Sequence, residues 1–206
     1  MTLVKVCGVC DSAAAETAAA AGADLIGFHF CSSRRRVSPE AARSFAEAAR
    51  ATGRDPQLVG VFIDQSEAEV AEIATQVGLD MVQLHGSEAP GFRAPVPVLK
   101  ALKVRDGRLP DTSGWAGPVL LDAWSADQRG GTGRAWDWEL ARDLVRRHRV
   151  FVAGGLDPEN VGDLVRDLRP YGVDVSSGVE AAVRVKDPER VRAFVQAVRE
   201  ADAARV

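Results

Sequence analysis

The sequence is poor in cysteine, in long apolar runs and in charge of one sign. Three cysteines in 206 residues are too few, and odd in number, for a disulfide framework. That argues against a secreted protein and for a reducing cytoplasm. No apolar run approaches the ~18 residues of a membrane span. The opening MTLVKVCGV has neither a long apolar core nor an A-x-A-like cleavage site, so no signal peptide is expected. The net charge is −3, with both signs interspersed, and no basic stripe points to nucleic acid. Nothing between the apolar runs resembles a linker; the Gly-rich stretch at 129–133 is too short. One domain over 1–206 is expected.

What the chain does have is repetition. Strand-length apolar runs recur eight times, beginning at Leu3, Asp24, Gln57, Asp80, Val96, Pro118, Arg149 and Gly172. Most are followed by helical spacing of Ala, Glu and Arg, as in 38–50, 66–77, 137–147, 158–168 and 188–204. Caps, prolines or early acids mark the starts at Ser38, Asp64 and Asp157. The segments after strands four and five, 87–95 and 105–115, are rich in Pro and Gly, so their helices should be short or absent. Strand then helix, repeated, means a parallel sheet. Eight units in 206 residues sit at the ~200-residue lower end of an α/β (β/α)8 TIM barrel. An echo supports closure: GADLIGF at Gly22, GLDMVQL at Gly78 and GVDVSSG at Gly172 each read as a helix-ending glycine before an even-numbered strand. The rival, a doubly wound open sheet, would place G-x-G-x-x-G after strand one, where GVCDS stands instead.

Alternation along the strands then sorts the polar residues. It puts Lys5 and Cys7, Gln83 and His85, Asp122, and Asp174 and Ser176 on the inner face. Cys7, His85, Asp122 and Ser176 fall toward the C-terminal mouth, where barrel active sites sit. Singly, each has an ordinary explanation, as a cap or as core filling; convergence at one mouth favours function. Closure makes strands one and eight neighbours, so Lys5 and Asp174 should pair, because either charge alone would be costly inside. Three late loops are Gly-rich: RGGTGR with Gly131, AGGL with Gly154 and Gly155, and SSGVE with Ser176, Ser177 and Gly178. Glycines let backbone N–H groups approach an anion, and loops after strands seven and eight often hold phosphate in barrels. SSRRRVSPE, from Ser32, puts three arginines on the loop after strand two. One of them can turn inward to a carboxylate, or all can stay solvated. A zinc site at C-x-x-C would need Cys7, Cys10, Cys31 and a histidine, His29 or His85. Because Cys7 ends a strand facing in while Cys10 lies on a loop, the spacing is read as coincidence.

Taken together, KVCG from Lys5, SRRRVSPE from Ser33, VQLHG from Val82, LLDA from Leu120, GGTGRAWDW from Gly130, AGGLDPENV from Ala153, RPYGVDVSSGVE from Arg169 and KDPERVRAFV from Lys186 resemble the phosphoribosylanthranilate isomerases of tryptophan biosynthesis. The resemblance covers nearly the whole chain. It implies an Amadori rearrangement of N-(5-phosphoribosyl)anthranilate without a cofactor or metal. Cys7 matches the family's general base and Asp122 its general acid. Arg36 matches the arginine facing the anthranilate group, and the late Gly-rich loops take the phosphate. Substrate contacts are further expected at His85, Gly131, Gly154, Gly155, Asp174, Ser176, Ser177 and Gly178. Such a reaction needs the acid protonated and the thiol ionised. Burial beside LL should favour neutral Asp122, while Lys5 and phosphate-binding amides should favour the Cys7 thiolate. The partner expected is a small phosphorylated molecule, with no nucleic acid or membrane, and a monomer is favoured over a homodimer. The chain departs from common family residues at Cys10, Asp11 and His29, and its arginine loop is one residue short. Two alternatives stand beside this reading. One is another phosphosugar isomerase of the same barrel class, such as that of histidine synthesis, which uses paired aspartates after strands one and five; Cys7 and Lys100–Ala101 stand there instead. The other is a cysteine-based metal- or thiol-binding module.

Overall fold

The structure, a computed structural model, describes residues 1–123 and 136–204. Eight parallel strands close into a barrel in sequence order: β1 Leu3–Cys7, β2 Leu25–His29, β3 Gln57–Phe62, β4 Met81–Leu84, β5 Val98–Val104, β6 Val119–Ala123, β7 Val150–Val152 and β8 Gly172–Val175. The seam pairs β1 with β8 and sets Lys5 against Asp174. Around the strands lie α1 Ser12–Ala21, α2 Pro39–Ala51, α3 Glu67–Val77, α4 Arg142–Val145, α5 Val161–Leu168 and α6 Pro188–Ala203. A short antiparallel ribbon, β9 Glu180–Ala182 and β10 Val185–Lys186, follows β8 and was not foreseen. Among the described residues, no helix is long and apolar enough to cross a membrane.

Alternation divides the core in two. Leu25, Val59, Leu99, Ala101, Leu120, Phe151 and Ala153 fill the barrel interior. The opposite parity, with Val4, Ile26, Leu58, Val82 and Val173, packs against the helices. The inner layer is thus largely apolar, with the buried Lys5, in register with Leu25 and Asp174, and Gln83, in register with Leu99, set among it.

Local chemistry sets the helix ends. The Asp11 carboxylate caps α1 at the Ala14 amide (2.7 Å). Ser38 caps α2 ahead of Pro39, Ser66 and Glu69 form a capping box on α3, and Asp187 caps α6 ahead of Pro188. Alanines on α1 (Ala14, Ala15, Ala18, Ala19) are buried, which lets it pack closely between α2 and α6. Two expected helices differ. Instead of 137–147, a 3-10 turn over Trp138–Ala141 leads into the single turn of α4. Trp138 and Ala141 are both buried, and i, i+3 spacing on one face suits a 3-10 turn. The helix expected from 158 begins only at Val161, because the Asp157 carboxylate accepts from the Glu159 and Asn160 amides and holds them in a turn. The glycine echo holds twice. Gly22 and Gly78 are left-handed helix caps, and the following Asp24 and Asp80 accept from the Val4 and Leu58 amides of the preceding strand. It fails at Gly172, which opens β8 where a Cβ would strike the Phe151 ring.

No helix stands between β4 and β5 or between β5 and β6. A polar anchor holds the first of these connections. Lys100 points outward from β5 and is 4% exposed; its ammonium pairs with the 3% exposed Glu88 (2.7 Å), donates to the Gly86 carbonyl (2.7 Å) and lies 5.5 Å from the Trp115 ring centroid. Glu88 also accepts from the Asp64 and Gly86 amides. Glu88→Ala would leave Lys100 buried without its carboxylate and should cost about 3–5 kcal/mol. A urea titration should read this as a lower midpoint; an unchanged midpoint would mean that Trp115 and the Gly86 carbonyl suffice.

Candidate active site

The site is built upward from the seam. Lys5 is fully buried, and its ammonium lies 2.8 Å from the Asp174 carboxylate, as the strand parity required. Burial opposes the charge on Lys5, but Asp174 and Cys7 outweigh it and its pKa is raised. Directly above, Cys7 ends β1 and faces the mouth, in contact with Cys31 and Val61. Gly27 is the register partner of Cys7 on β2. A Cβ there would lie 2.9 Å from Cys7 Sγ and 3.1 Å from Lys5 Nζ, so only glycine lets these two groups meet.

The thiol corrects one expectation. Its pKa is raised rather than lowered: burial is the largest cause, Lys5 pulls it down and Asp174 pushes it up again. A thiol 4% exposed loses more by leaving water than one ammonium restores.

His29 ends β2 on the same face. Its Nε2 is 3.4 Å from Cys7 Sγ, and its Nδ1 is 2.9 Å from Ser33 Oγ. Across the mouth, the Gln83 amide donates to His85 Nδ1 (3.3 Å). That leaves the His85 Nε2–H toward Asp122 Oδ2, 3.5 Å away. The Asp122 side chain is 27% exposed, so it is less desolvated than its LL neighbours suggested. A cavity of about 870 Å³ opens over the ends of β2 to β5, with His29, Cys31, Ser33, Val61, His85 and Lys103 in its wall.

The arginine loop is placed differently from the expectation. Arg36 is exposed; its backbone pairs with His29, and its charge reaches the Cys31 thiol. Arg35 is the arginine turned over the mouth. Its side chain is 15% exposed, lies across Gly8 and binds Glu180 through Nε (2.7 Å) and Nη2 (2.5 Å). A backbone bridge from Arg36 to His29 ties the end of the loop to β2. Lys186 completes the rim, reaching the Ser176 carbonyl (2.9 Å) and Glu180 (3.3 Å). Burial lowers its pKa, against the pull of Glu180.

The late loops are tied together. Gly154 and Gly155 follow β7, both in the left-handed region with φ of 82° and 72°. The Gly155 carbonyl accepts from Asn160 Nδ2 (2.8 Å). Gly178 is backed against the Leu156 carbonyl so closely that no Cβ would fit, and its own carbonyl accepts from Arg190 Nε (2.9 Å). Ser176 Oγ is buried and has no partner among the described residues. Gly131 lies outside the described residues. The two thiols of C-x-x-C have separate surroundings: Cys10 Sγ faces the carbonyls of Gly8 and Arg35. Sequence reasoning weighed His29 only as a zinc ligand and Arg35 only as one of three loop arginines, and gave no role to Ser33, Glu180 or Lys186. The inward parity of position 29 was the one available signal; the contacts of the others depend on loop geometry.

Comparison with known proteins places this geometry. The family model described as N-(5'phosphoribosyl)anthranilate (PRA) isomerase matches residues 4–197. A protein of Pelobacter propionicus named N-(5'-phosphoribosyl)anthranilate isomerase is 44% identical over 205 residues, covering 97% of each chain. The crystal structure of phosphoribosyl anthranilate isomerase from Thermus thermophilus superposes with a TM-score of 0.83 at 36% identity, over 97% of this chain and 99% of that one. A further isomerase structure, in complex with reduced 1-(o-carboxyphenylamino)-1-deoxyribulose 5-phosphate, has a TM-score of 0.80 at 31% identity, over 97% of this chain and 100% of the other. With a family match along nearly its whole length, the chain belongs to the N-(5'-phosphoribosyl)anthranilate isomerase family.

Proposed function

We propose that this mouth converts N-(5-phosphoribosyl)anthranilate to 1-(2-carboxyphenylamino)-1-deoxyribulose 5-phosphate, an acid–base Amadori rearrangement in tryptophan biosynthesis. The observation that carries the reading is an inward thiol at the end of β1 against His29 and an inward carboxyl at the end of β6 against His85, the two histidines lining one cavity. Asp122 protonates the ring oxygen, and the furanose opens to a Schiff base. C2 is acidic only beside that Schiff base, so proton removal by Cys7 comes second. An acid and a base held in place on one substrate are what general acid–base catalysis requires. Gly154 and Gly155, with Ser176, Ser177 and Gly178, take the phosphate, and Gly131 falls on the same late-loop side in sequence. Asp174 keeps Lys5 under the thiol, and His85 orients the acid. A monomer is the assembly proposed, and three free thiols suit the cytoplasm. Turnover is tested by mixing the protein with N-(5-phosphoribosyl)anthranilate in the presence of a chelator and following the loss of substrate fluorescence. No loss above the uncatalysed rate would end the reading.

The anthranilate carboxylate is assigned to Arg35 in place of Arg36. Two of the five guanidinium N–H donors serve Glu180, leaving others for a second carboxylate. Arg35→Ala should raise KM roughly tenfold or more by the loss of one charged contact. Arg36→Ala should change it far less. If the two variants behave in the opposite way in steady-state kinetics, the assignment returns to Arg36.

A further inference from the structure

The thiol of Cys7 has a polar neighbour for which the proposed reaction has so far given no use. His29 Nε2 faces Sγ at 3.4 Å, and at the other end of the ring Nδ1 meets Ser33 Oγ at 2.9 Å. Ser33 Oγ in turn accepts from the Arg35 backbone N–H at 3.1 Å. The far end of this chain has fixed polarity, because a backbone N–H can only donate. With that donor on its oxygen, Ser33 can direct its own proton to His29 Nδ1. A neutral imidazole that accepts at Nδ1 carries its hydrogen on Nε2, and Nε2 points at the sulfur. Every donor in the series Arg35, Ser33, His29 then leads toward Sγ.

The surroundings keep the ring neutral. Burial, then the charges of Lys5, Arg35, His85 and Lys186, lower the His29 pKa to about 3. A ring that resists protonation is a poor base for the thiol but a stable neutral donor. We propose that His29, held by Ser33 as the Nε2–H tautomer, donates a hydrogen bond to the Cys7 thiolate and keeps the base in its reactive form. This rests on the reading of Cys7 as the base. Lys5 supports the sulfur from the barrel floor and His29 from the mouth. Hydrogen bonds to an ionised acceptor are the strong ones, and here one offsets part of the burial that works against the thiolate. Ser33 is a positioning residue: it acts only through the tautomer of His29.

The test is the pH dependence of iodoacetamide alkylation at Cys7, read by mass spectrometry of the Cys7 peptide, in wild type, His29→Leu, His29→Gln and Ser33→Ala. Lys5, Asp174, Lys186 and Arg35, the charges acting on Cys7, remain in every variant. Removing the donor should shift the alkylation midpoint upward by about one to two pH units, so that His29→Leu reacts roughly 10- to 100-fold more slowly at pH 7. His29→Gln should recover most of the rate, since its amide N–H can stand near Nε2 but cannot take up a proton. Ser33→Ala should fall between the two. An unshifted midpoint in His29→Leu overturns the proposal, and so does a glutamine variant as slow as leucine, which would make His29 a base. Alkylation needs no substrate. A protein that fails to isomerise but shows the shift loses the proposed function and keeps this inference; one that isomerises with no shift does the reverse.

Discussion

Cys7→Ala should lose nearly all turnover while folding normally. General acid–base groups contribute about 10²–10⁴-fold each, and no other thiol can replace this one. Cys31 touches Cys7 but does not stand over Lys5 and Gly27, and Cys10 is directed to the carbonyls of Gly8 and Arg35. Cys10→Ala should therefore keep most of the activity. Folding should survive the loss of Cys7, because Lys5 keeps its 2.8 Å partner Asp174 and the space vacated is a single sulfur. Cys7→Ser is the stricter variant, since it keeps the shape and removes only a group able to ionise at usable pH. Single-turnover fluorescence, with circular dichroism as the folding control, decides the matter. Activity in Cys7→Ala within a few-fold of wild type would move the base elsewhere, and His29 would then be the nearest group to examine.

The barrel was readable because its signals are local. Eight apolar runs, alternating parity and short capping motifs gave the strand order, the inward set and most helix starts. The Lys5–Asp174 pair followed from parity plus closure alone. What sequence could not supply was the path of the loops. The choice between Arg35 and Arg36 depends on the path of the loop and on a backbone bridge to His29, which no periodicity records. The arc from Arg35 through Glu180 to Lys186 joins positions about 150 residues apart and includes a ribbon, β9–β10, too short to show any pattern. The direction of the Cys7 shift was missed for a different reason: parity showed the neighbouring charge but not the depth of burial, and burial is the larger influence. Likewise the anchor that replaces a helix after β4 uses Lys100, which in sequence is only a lysine within an apolar run.

Asp122→Asn should lower turnover by at least ~10²-fold, the low end for general acid catalysis, while substrate analogues still bind. The amide keeps the size and the contact with His85 but has no acidic proton for the ring oxygen. Without ring opening there is no Schiff base, and without a Schiff base the C2 proton stays out of reach of any thiolate. The loss should therefore fall on kcat and not on KM. The geometry adds a second consequence. Asp122 faces His85 across the mouth at 3.5 Å, whereas Cys7 is governed by Lys5, Asp174 and Lys186, with His29 against the sulfur. The variant should thus leave the alkylation of Cys7 unchanged over the whole pH range, which separates loss of the acid from collapse of the site. Single-turnover kinetics of Asp122→Asn and Cys7→Ser at several pH values provide the measurement. Two dead variants with an intact thiol in the first would agree with an acid at β6 and a base at β1. A near-wild-type Asp122→Asn would remove this carboxyl from the role. The proton would then have to come from His85, whose Nε2–H is the next donor on that side of the cavity, and His85→Gln would become the informative variant.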